Sequence, residues 1–244
     1  PETVLTGYGY LQPSQDPFYQ KFGVSMQVYT AETIPGTTTN ELSKYAKKYN
    51  MYIIFGMTEK DEAGTIKDNG VEKVYNSAAI LYPDGRIDSY QKIHRAGQEN
   101  KWSVTGKTPK IIETKWGKIG VDICRDGHFY PELGRYYAAM GCTMFIHPTA
   151  TTGNAWYRST RIGSYVDRDG MAAITCNLLG GDGIYVADGA YTYSPDDIDE
   201  NGDFVVGSAI PETIYNQNEI EDDPYWNSKN WLGTGGVFNS TSFI

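Results

Sequence analysis

The apolar positions in the first quarter of the chain follow a helical period and then an extended one. In residues 38–49 they recur at i, i+3, i+4 and i+7, which predicts an amphipathic helix with a Thr or Asn available as its cap. The apolar face consists of Leu42, Tyr45, Ala46 and Tyr49. A mostly apolar run at residues 51–57 follows directly and predicts a buried strand.

Two hairpins are predicted next. Strands at residues 74–82 and 86–93 flank the turn Pro83-Asp84-Gly85, whose residue types favour tight turns. Strands at residues 110–114 and 119–124 flank a second turn at residues 115–118. In this interpretation Cys124 is the last residue of a strand.

Helices and strands then alternate. Pro131 suits the first turn of a helix, which is predicted over residues 132–140 with Gly141 as its stop. A strand at 143–147, a helix at 156–169 and a strand at 171–177 follow, so we expect one layered α/β domain over residues 1–244 with helices outside its sheets. The periodicity fades after residue 180, and residues 182–232 are predicted to be an acidic insertion or long loop.

Charge and composition exclude several classes of protein. The net charge of −9 arises in residues 182–232, where twelve acidic residues face the single Lys229, and a nucleic-acid binder would instead need clustered Lys and Arg. No apolar run reaches the roughly 20 residues of a membrane span, and three cysteines do not make a disulfide framework. Low cysteine usage favours the cytoplasm, although the chain starts at Pro1 without a leading strand and secretion stays open.

Cys124 is the first candidate for chemistry. It follows the apolar residues 121–123 and precedes a polar turn, a position that exposes a nucleophile beside backbone N–H groups. The helix predicted from Pro131 starts too far on to lower the thiol pKa, so Lys92 or Arg125 would have to help hold a thiolate. The alternative is a buried small hydrophobic residue. By themselves, Lys92 is typical of a surface lysine and Glu2 of a frayed terminus.

Three segments together resemble the nitrilase (carbon-nitrogen hydrolase) superfamily. Residues 1–8 are similar to its P-E-x-x-L-x-G-Y segment, residues 90–94 to its Y-x-K-x-H segment, and residues 120–126 to its G-x-x-I-C-x-D segment, which Phe129, Pro131 and Glu132 extend. The resemblance implies a four-layer αββα sandwich and a catalytic triad. In that triad Glu2 is the general base, Lys92 steadies the oxyanion and Cys124 is the nucleophile.

Further roles are implied by the same resemblance. Residues 97–102 resemble a loop that carries an auxiliary glutamate, here Glu99. Arg125, Asp126 and His147 are the candidates for binding the oxyanion or the substrate. The sequence departs from the pattern in the extra residue Tyr130 and in lacking a strand and helix before Glu2, so we expect the native protein to be longer or to keep a cleaved segment bound.

The resemblance also implies substrate and assembly. An Asp two positions after the nucleophile, here Asp126, resembles the amidase and carbamoylase branches of the superfamily. We therefore expect thiol-dependent hydrolysis of a small amide or N-carbamoyl compound without a cofactor. Acyl transfer to an amine by the same site, or a non-catalytic scaffold, are the alternatives. A homodimer or larger homo-oligomer is expected through the helix at 132–140, with Tyr136 and Tyr137 as contacts.

A calcium loop is a competing signal in the acidic segment. Asp197, Asp199, Asn201 and Asp203 fit the start of the D-x-D-x-N-G pattern, but position twelve is Ser208 where Glu is expected. An Asn-Gly hairpin turn explains the same residues. His94, His128 and His147 lack metal-ligand spacing, so no other metal site is expected.

Overall fold

The structure is a computed structural model that describes residues 1–7, 15–64, 66–151, 162, 169–178 and 183–185, with only the backbone for residues 98 and 183–185. The helices are α1 (Pro17–Phe22), α2 (Met26–Tyr29), α3 (Thr37–Lys48), α4 (Arg125–Phe129) and α5 (Pro131–Ala139). The strands are β1 (Ile53–Glu59), β2 (Ile66–Asp68), β3 (Val71–Leu81), β4 (Ile87–Gln91), β5 (Ser103–Val104), β6 (Lys110–Thr114), β7 (Gly117–Val121), β8 (Cys142–Thr149), β9 (Ala172–Asn177) and β10 (Gly183–Tyr185). A 3-10 helix, Gly97–Lys101, lies between β4 and β5.

The strands form two sheets. In the first, the long strand β3 pairs antiparallel with β1, β2 and β4 and parallel with β5. The second has the order β10-β9-β8-β7-β6, in which the central strands β7, β8 and β9 are parallel and both edges are antiparallel. Parallel strands need crossover connections, and α4 with α5 supplies the one between β7 and β8.

Apolar contacts define the layers. Ile80 and Tyr90 of the first sheet pack against Ile112 and Val121 of the second, so the sheets meet face to face. The outer faces are covered by helices: Ala46 of α3 packs on Phe55 and Met57 of β1, and Leu133 and Tyr137 of α5 pack on Phe145 and Ala173. This order of helix, sheet, sheet and helix confirms the expected αββα architecture.

The buried face of α3 agrees with the predicted one only in part, since Ala46 is buried and Leu42 packs against the same cluster but the two tyrosines do not. Tyr45 and Tyr49 are 46% and 58% exposed, and the buried positions are Thr39, Ser43 and Ala46. The Thr39 hydroxyl accepts a hydrogen bond from the Gly36 N–H, and the Ser43 hydroxyl donates to the Gly85 carbonyl. Small residues with satisfied hydroxyls let the helix approach the sheet closely, while the tyrosines face outward.

Both hairpins are confirmed, with Leu81 opposite Ile87 in one and Thr114 opposite Gly117 in the other. The prediction that Cys124 ends a strand is wrong, because β7 already ends at Val121. The predicted polar turn after it is wrong too, since Arg125–Phe129 is helical. The Asp126 carboxylate accepts from the Ile123 N–H and stabilises this short helix locally.

The later predictions are only partly covered. The strands at 143–147 and 171–177 are confirmed as β8 and β9. The helix at 156–169 lies outside the described residues except for Ile162, which is buried, and Asp169. The acidic segment 182–232, apart from β10, and the calcium loop also lie outside them. In the described part of the chain no helix has the length and apolarity that crossing a membrane requires.

Candidate active site

Lys92 lies at the centre of a buried ionic cluster. It follows β4 directly, its N–H donates to the Asn76 carbonyl, and its side chain is only 1% exposed. The Nζ atom is 2.6 Å from Glu2 Oε1 and 2.5 Å from Glu99 Oε1. Both carboxylates are fully buried, so two acids share one ammonium inside the protein.

Glu2 is held between the two sheets by backbone bonds. Its N–H donates to the Thr149 carbonyl at the end of β8, and the adjacent Pro1 carbonyl accepts from Gly56 of β1. A Cβ atom on Gly56 would lie 2.6 Å from the Cα of Glu2, so only glycine permits this close approach. The position of Glu2 therefore depends on both sheets.

The two oxygens of Glu2 have different surroundings. Oε1 accepts from Lys92 Nζ and, at 2.8 Å, from Asn76 Nδ2. Oε2 is also buried, and it makes no hydrogen bond to any side chain or backbone group that the structure describes. One oxygen is thus anchored while the other is available to take a proton.

Cys124 sits between β7 and α4 with unusual backbone angles, φ 48° and ψ −102°. Its N–H donates to the Pro148 carbonyl of β8 at 2.9 Å, and the His128 N–H donates to its carbonyl at 3.0 Å. Such a conformation costs about 1–3 kcal/mol and persists only where neighbours impose it, as they often do at active sites. These bonds hold the thiol at the turn.

The thiol of Cys124 keeps its proton at neutral pH. Burial and the Glu2 carboxylate raise its pKa to about 12, and the opposing effects of Lys92, Thr149 and Ala150 are smaller. For Lys92, burial lowers the pKa, but Glu2 and Glu99 outweigh it and the pKa ends well above its usual value. The site therefore pairs a neutral thiol with a charged lysine.

Asp126 joins the lysine segment to the nucleophile turn. Its Oδ2 accepts from the Tyr90 hydroxyl at 2.8 Å and from the Ile123 N–H at 3.1 Å. Its Oδ1 accepts from the His94 N–H and lies 2.8 Å from His94 Nδ1. Tyr90 and His94 flank Lys92, so one buried carboxylate fixes Lys92 relative to Cys124.

The extra residue Tyr130 strengthens the same connection. It is extended between α4 and α5, and its ring stacks on His94 with centroids 3.8 Å apart and planes within 7°. The Arg125 guanidinium lies 5.0 Å from the Phe129 ring centroid and 5.9 Å from that of Tyr130. Arg125 is also the first residue of α4, where a backbone N–H has no partner within the helix.

Some of the predicted site residues meet at the Lys92 cluster, and His147 has a different partner. Glu2, Lys92 and Glu99 are in direct contact, and the electrostatic influence of Glu2 and Lys92 reaches Cys124. His147 is fully buried on β8, where Nδ1 lies 2.5 Å from Asp122 Oδ1. Across the described ranges no three His, Cys, Asp or Glu side chains are placed to hold a metal ion.

Sequence reasoning missed three residues of the site. Asn76 and Asp122 are buried polar residues inside apolar stretches, and that pattern is the signal that could have found them. Gly56 within β1 carries the weaker signal of a glycine inside a strand, which often marks close backbone approach.

The sandwich and the buried Glu-Lys-Cys arrangement define an enzyme-like α/β protein of the nitrilase type. A profile of the carbon-nitrogen hydrolase family matches residues 1–196. The chain belongs to this family, within the nitrilase superfamily.

Named relatives agree with that assignment. The chain is 32% identical to omega-amidase NIT2 of Danio rerio over 62% of its own length and 56% of that protein. It is 30% identical to omega-amidase NIT2 of Mus musculus over 81% of this chain and 71% of that one. The crystal structure of Saccharomyces cerevisiae Nit3, from branch 10 of the nitrilase superfamily, matches with a TM-score of 0.55 and 24% identity over 63% of this chain and 59% of Nit3. The chain thus spans little more than half the length of the zebrafish relative.

Proposed function

We propose that the protein hydrolyses a non-peptide C–N bond in a small amide or N-carbamoyl compound through a thioester on Cys124. The observation that carries the proposal is the buried cluster in which Lys92 bridges Glu2 and Glu99 beside a protonated thiol. Membership of the carbon-nitrogen hydrolase family supports amide hydrolysis in general.

Glu2 acts first as a general base. Because the pKa of Cys124 is about 12, the thiol must lose its proton during attack, and the buried Oε2 of Glu2 is free to accept it. The sulfur then bonds to the carbonyl carbon, and the carbonyl oxygen becomes an oxyanion. The Lys92 ammonium and the Arg125 N–H stabilise this oxyanion inside the protein.

Glu2 next acts as a general acid. It returns the proton to the nitrogen, the C–N bond breaks, and ammonia or a neutral amine leaves while the acyl group remains as a thioester. A water molecule then gives a proton to Glu2 and attacks the thioester carbon. The C–S bond breaks, the acid product leaves, and Cys124 recovers its proton from Glu2.

Glu99 and Asp126 support this chemistry through Lys92. Glu99 keeps the ammonium charged and oriented, because its Oε1 accepts a hydrogen bond from Nζ as Glu2 Oε1 does. Both oxygens of Asp126 are engaged within the protein, so we assign it to positioning Lys92 and the nucleophile turn. Arg125 stays the candidate for binding the substrate.

We propose one domain over residues 1–244 that assembles as a homodimer or larger homo-oligomer. Phe129 at the end of α4, Tyr136 on α5 and Met140 directly after α5 are 45%, 40% and 43% exposed, and they form an apolar surface suited to a second copy. Tyr137 does not belong to it, contrary to the expectation from sequence, because it is fully buried and its hydroxyl donates to the Val121 carbonyl.

The test is ammonia release from a panel of small amides, omega-amides included, and N-carbamoyl compounds. We expect Cys124→Ala and Glu2→Gln to lower kcat by at least about 10³-fold while the protein stays folded, since each removes a group that acts in every turnover. Glu59→Gln is the matched control: Glu59 is another buried glutamate of the first sheet, bonded to Ser77 and Gln91 and outside the cluster.

Full activity of Cys124→Ala would refute the proposed mechanism. If an added amine is converted to a new amide and no free acid forms, the site catalyses acyl transfer in place of hydrolysis.

A further inference from the structure

A second set of buried polar side chains, linked into a hydrogen-bonded chain, lies beside the triad. Asp122 Oδ1 is 2.5 Å from His147 Nδ1, and His147 Nε2 is 3.3 Å from His128 Nε2. The exposed fractions of these three side chains are 2%, 0% and 4%. The steps proposed for hydrolysis use none of them.

Each contact in this chain requires one proton. Two imidazole nitrogens can lie 3.3 Å apart favourably only if one donates and the other accepts, and the carboxylate contact likewise needs a single donor. Burial lowers the pKa of His147 to about 4, despite the raising effects of Asp126 and Glu2, so its ring is neutral at neutral pH. A neutral ring with one N–H is what a directional chain needs.

The residues of this hydrogen-bonded chain lie on both sides of the nucleophile. Asp122 lies two residues before Cys124, His128 lies on α4 four residues after it, and His147 lies on the neighbouring strand β8. Backbone bonds run in parallel with the side-chain contacts, from the Asp122 N–H to Ile146 and from the Cys124 N–H to Pro148. Both flanks of the strained turn are therefore attached to β8.

The surroundings of Gly127 show how closely α4 packs against this hydrogen-bonded chain. A Cβ atom at that position would be 2.6 Å from Asp122 Oδ2 and 2.9 Å from His147 Nδ1. No side chain of Gly127 separates the helix from the carboxylate–imidazole pair, so α4 packs directly against the pair. A shift of α4 would move the Arg125 N–H and the Cys124 sulfur together.

We propose that Asp122, His147 and His128 form a positioning unit that holds the Cys124 turn in its reactive conformation. The inference rests on the proposed function, since Cys124 is the nucleophile only there. Breaking the unit displaces the sulfur from Glu2 and leaves the Lys92 cluster in place. Misplacement by about 1 Å is enough to cost on the order of 100-fold in rate.

The test compares His147→Leu, which removes both contacts, with His147→Asn, which keeps an N–H near the position of Nδ1. We expect kcat for the amide substrate to fall about 10–100-fold in His147→Leu, with KM changed less than about threefold, and to recover partly in His147→Asn. Cys142→Ala is the control, because it weakens the core at the opposite end of the same strand.

A second readout does not need the amide substrate. Alkylation of Cys124 by iodoacetamide, followed peptide by peptide, reports the thiol pKa. A thiol that has moved away from burial and Glu2 titrates closer to its ordinary value, so we expect the rate in His147→Leu to level off at a lower pH than in the wild type.

The outcomes separate the two ideas. Unchanged kcat and unchanged alkylation in His147→Leu would overturn the positioning unit, as would an equal loss in Cys142→Ala. Activity that survives in Cys124→Ala would overturn the proposed function, and the alkylation profile would still show whether the turn is held. If His147→Leu fails to fold, Asp122→Asn, which keeps the size of the side chain, decides by the same two readouts.

Discussion

The thiol of Cys124 and the carboxylate of Glu2 influence each other through space. Burial and the negative charge of Glu2 hold the pKa of the thiol near 12. A raised pKa means that the neutral thiol is the resting form and that the thiolate fraction grows with pH up to that value. In the proposed mechanism Glu2 thus suppresses a free thiolate in the resting enzyme and serves as the base that forms it during attack.

We predict that alkylation of wild-type Cys124 by iodoacetamide accelerates about tenfold per pH unit from pH 7 to pH 10, because only the thiolate reacts and its pKa lies above this range. In Glu2→Gln the raising effect of the carboxylate is gone, so alkylation at pH 8 should be faster although hydrolysis is lost. Mass spectrometry of the Cys124 peptide measures the alkylation rate of the wild type and that of Glu2→Gln.

Glu59→Gln should behave like the wild type in this experiment. A wild-type rate that levels off below pH 9 would show a thiolate already formed and would contradict the assigned environment of Cys124.

At the scale of elements, the segment that carries Glu2 depends on contacts that neither sheet makes alone. Pro1 and Val4 exchange backbone bonds with Gly56 of β1, while Glu2 bonds to Thr149 at the end of β8. The carboxylate therefore reaches Lys92 only when β1 and β8 are correctly stacked. This arrangement couples packing of the sandwich to the geometry of the site.

We predict that Gly56→Ala lowers kcat by about 10-fold or more, because its Cβ would lie 2.6 Å from backbone atoms of residues 1–3 and push Glu2 out of place. Steady-state kinetics and thermal unfolding together measure the effect.

Gly36→Ala is the matched control, since its Cβ would meet the Thr33 carbonyl at 2.2 Å before α3, on the outer layer. It should lower the melting temperature and leave kcat of the folded fraction unchanged. If both variants lose kcat alike, the loss reflects instability and not the position of Glu2.

For the whole molecule, the proposed assembly rests on the apolar surface at α4 and α5. Phe129, Tyr136 and Met140 remain exposed while Leu133 and Tyr137 on the other face of α5 fill the core. Exposed apolar residues on a helix whose other face lies in the core suit a subunit contact, and here the charged residues Glu132 and Arg135 are exposed beside them.

We predict that Tyr136→Glu shifts the protein from an oligomer to a monomer, because a charge in the centre of an apolar interface loses its hydration without a partner. Size-exclusion chromatography with light scattering measures the mass. Tyr45→Glu on α3, where Tyr45 is 46% exposed, is the control that should keep the wild-type mass. Equal masses for the wild type and both variants would contradict an interface at α5.

The sequence by itself determined the features that depend on nearby residues. The periods of α3, α5, β8 and β9 and the turns of the two hairpins are encoded within stretches of a few residues, which is why they were predicted almost to their bounds. The motif segments around Glu2, Lys92 and Cys124 were recognisable for the same reason.

Only the tertiary structure decided which side chains meet. Lys92 and Glu2 are 90 positions apart, and Asn76 and Glu2 are 74 apart, so their contacts depend on how the two sheets stack. Local pattern likewise did not predict the exposure of Tyr45 and Tyr49 on α3, the short helix after Cys124, or the hydrogen-bonded chain from Asp122 through His147 to His128. Their free energy comes from packing and from hydrogen bonds between distant segments, which no local period encodes.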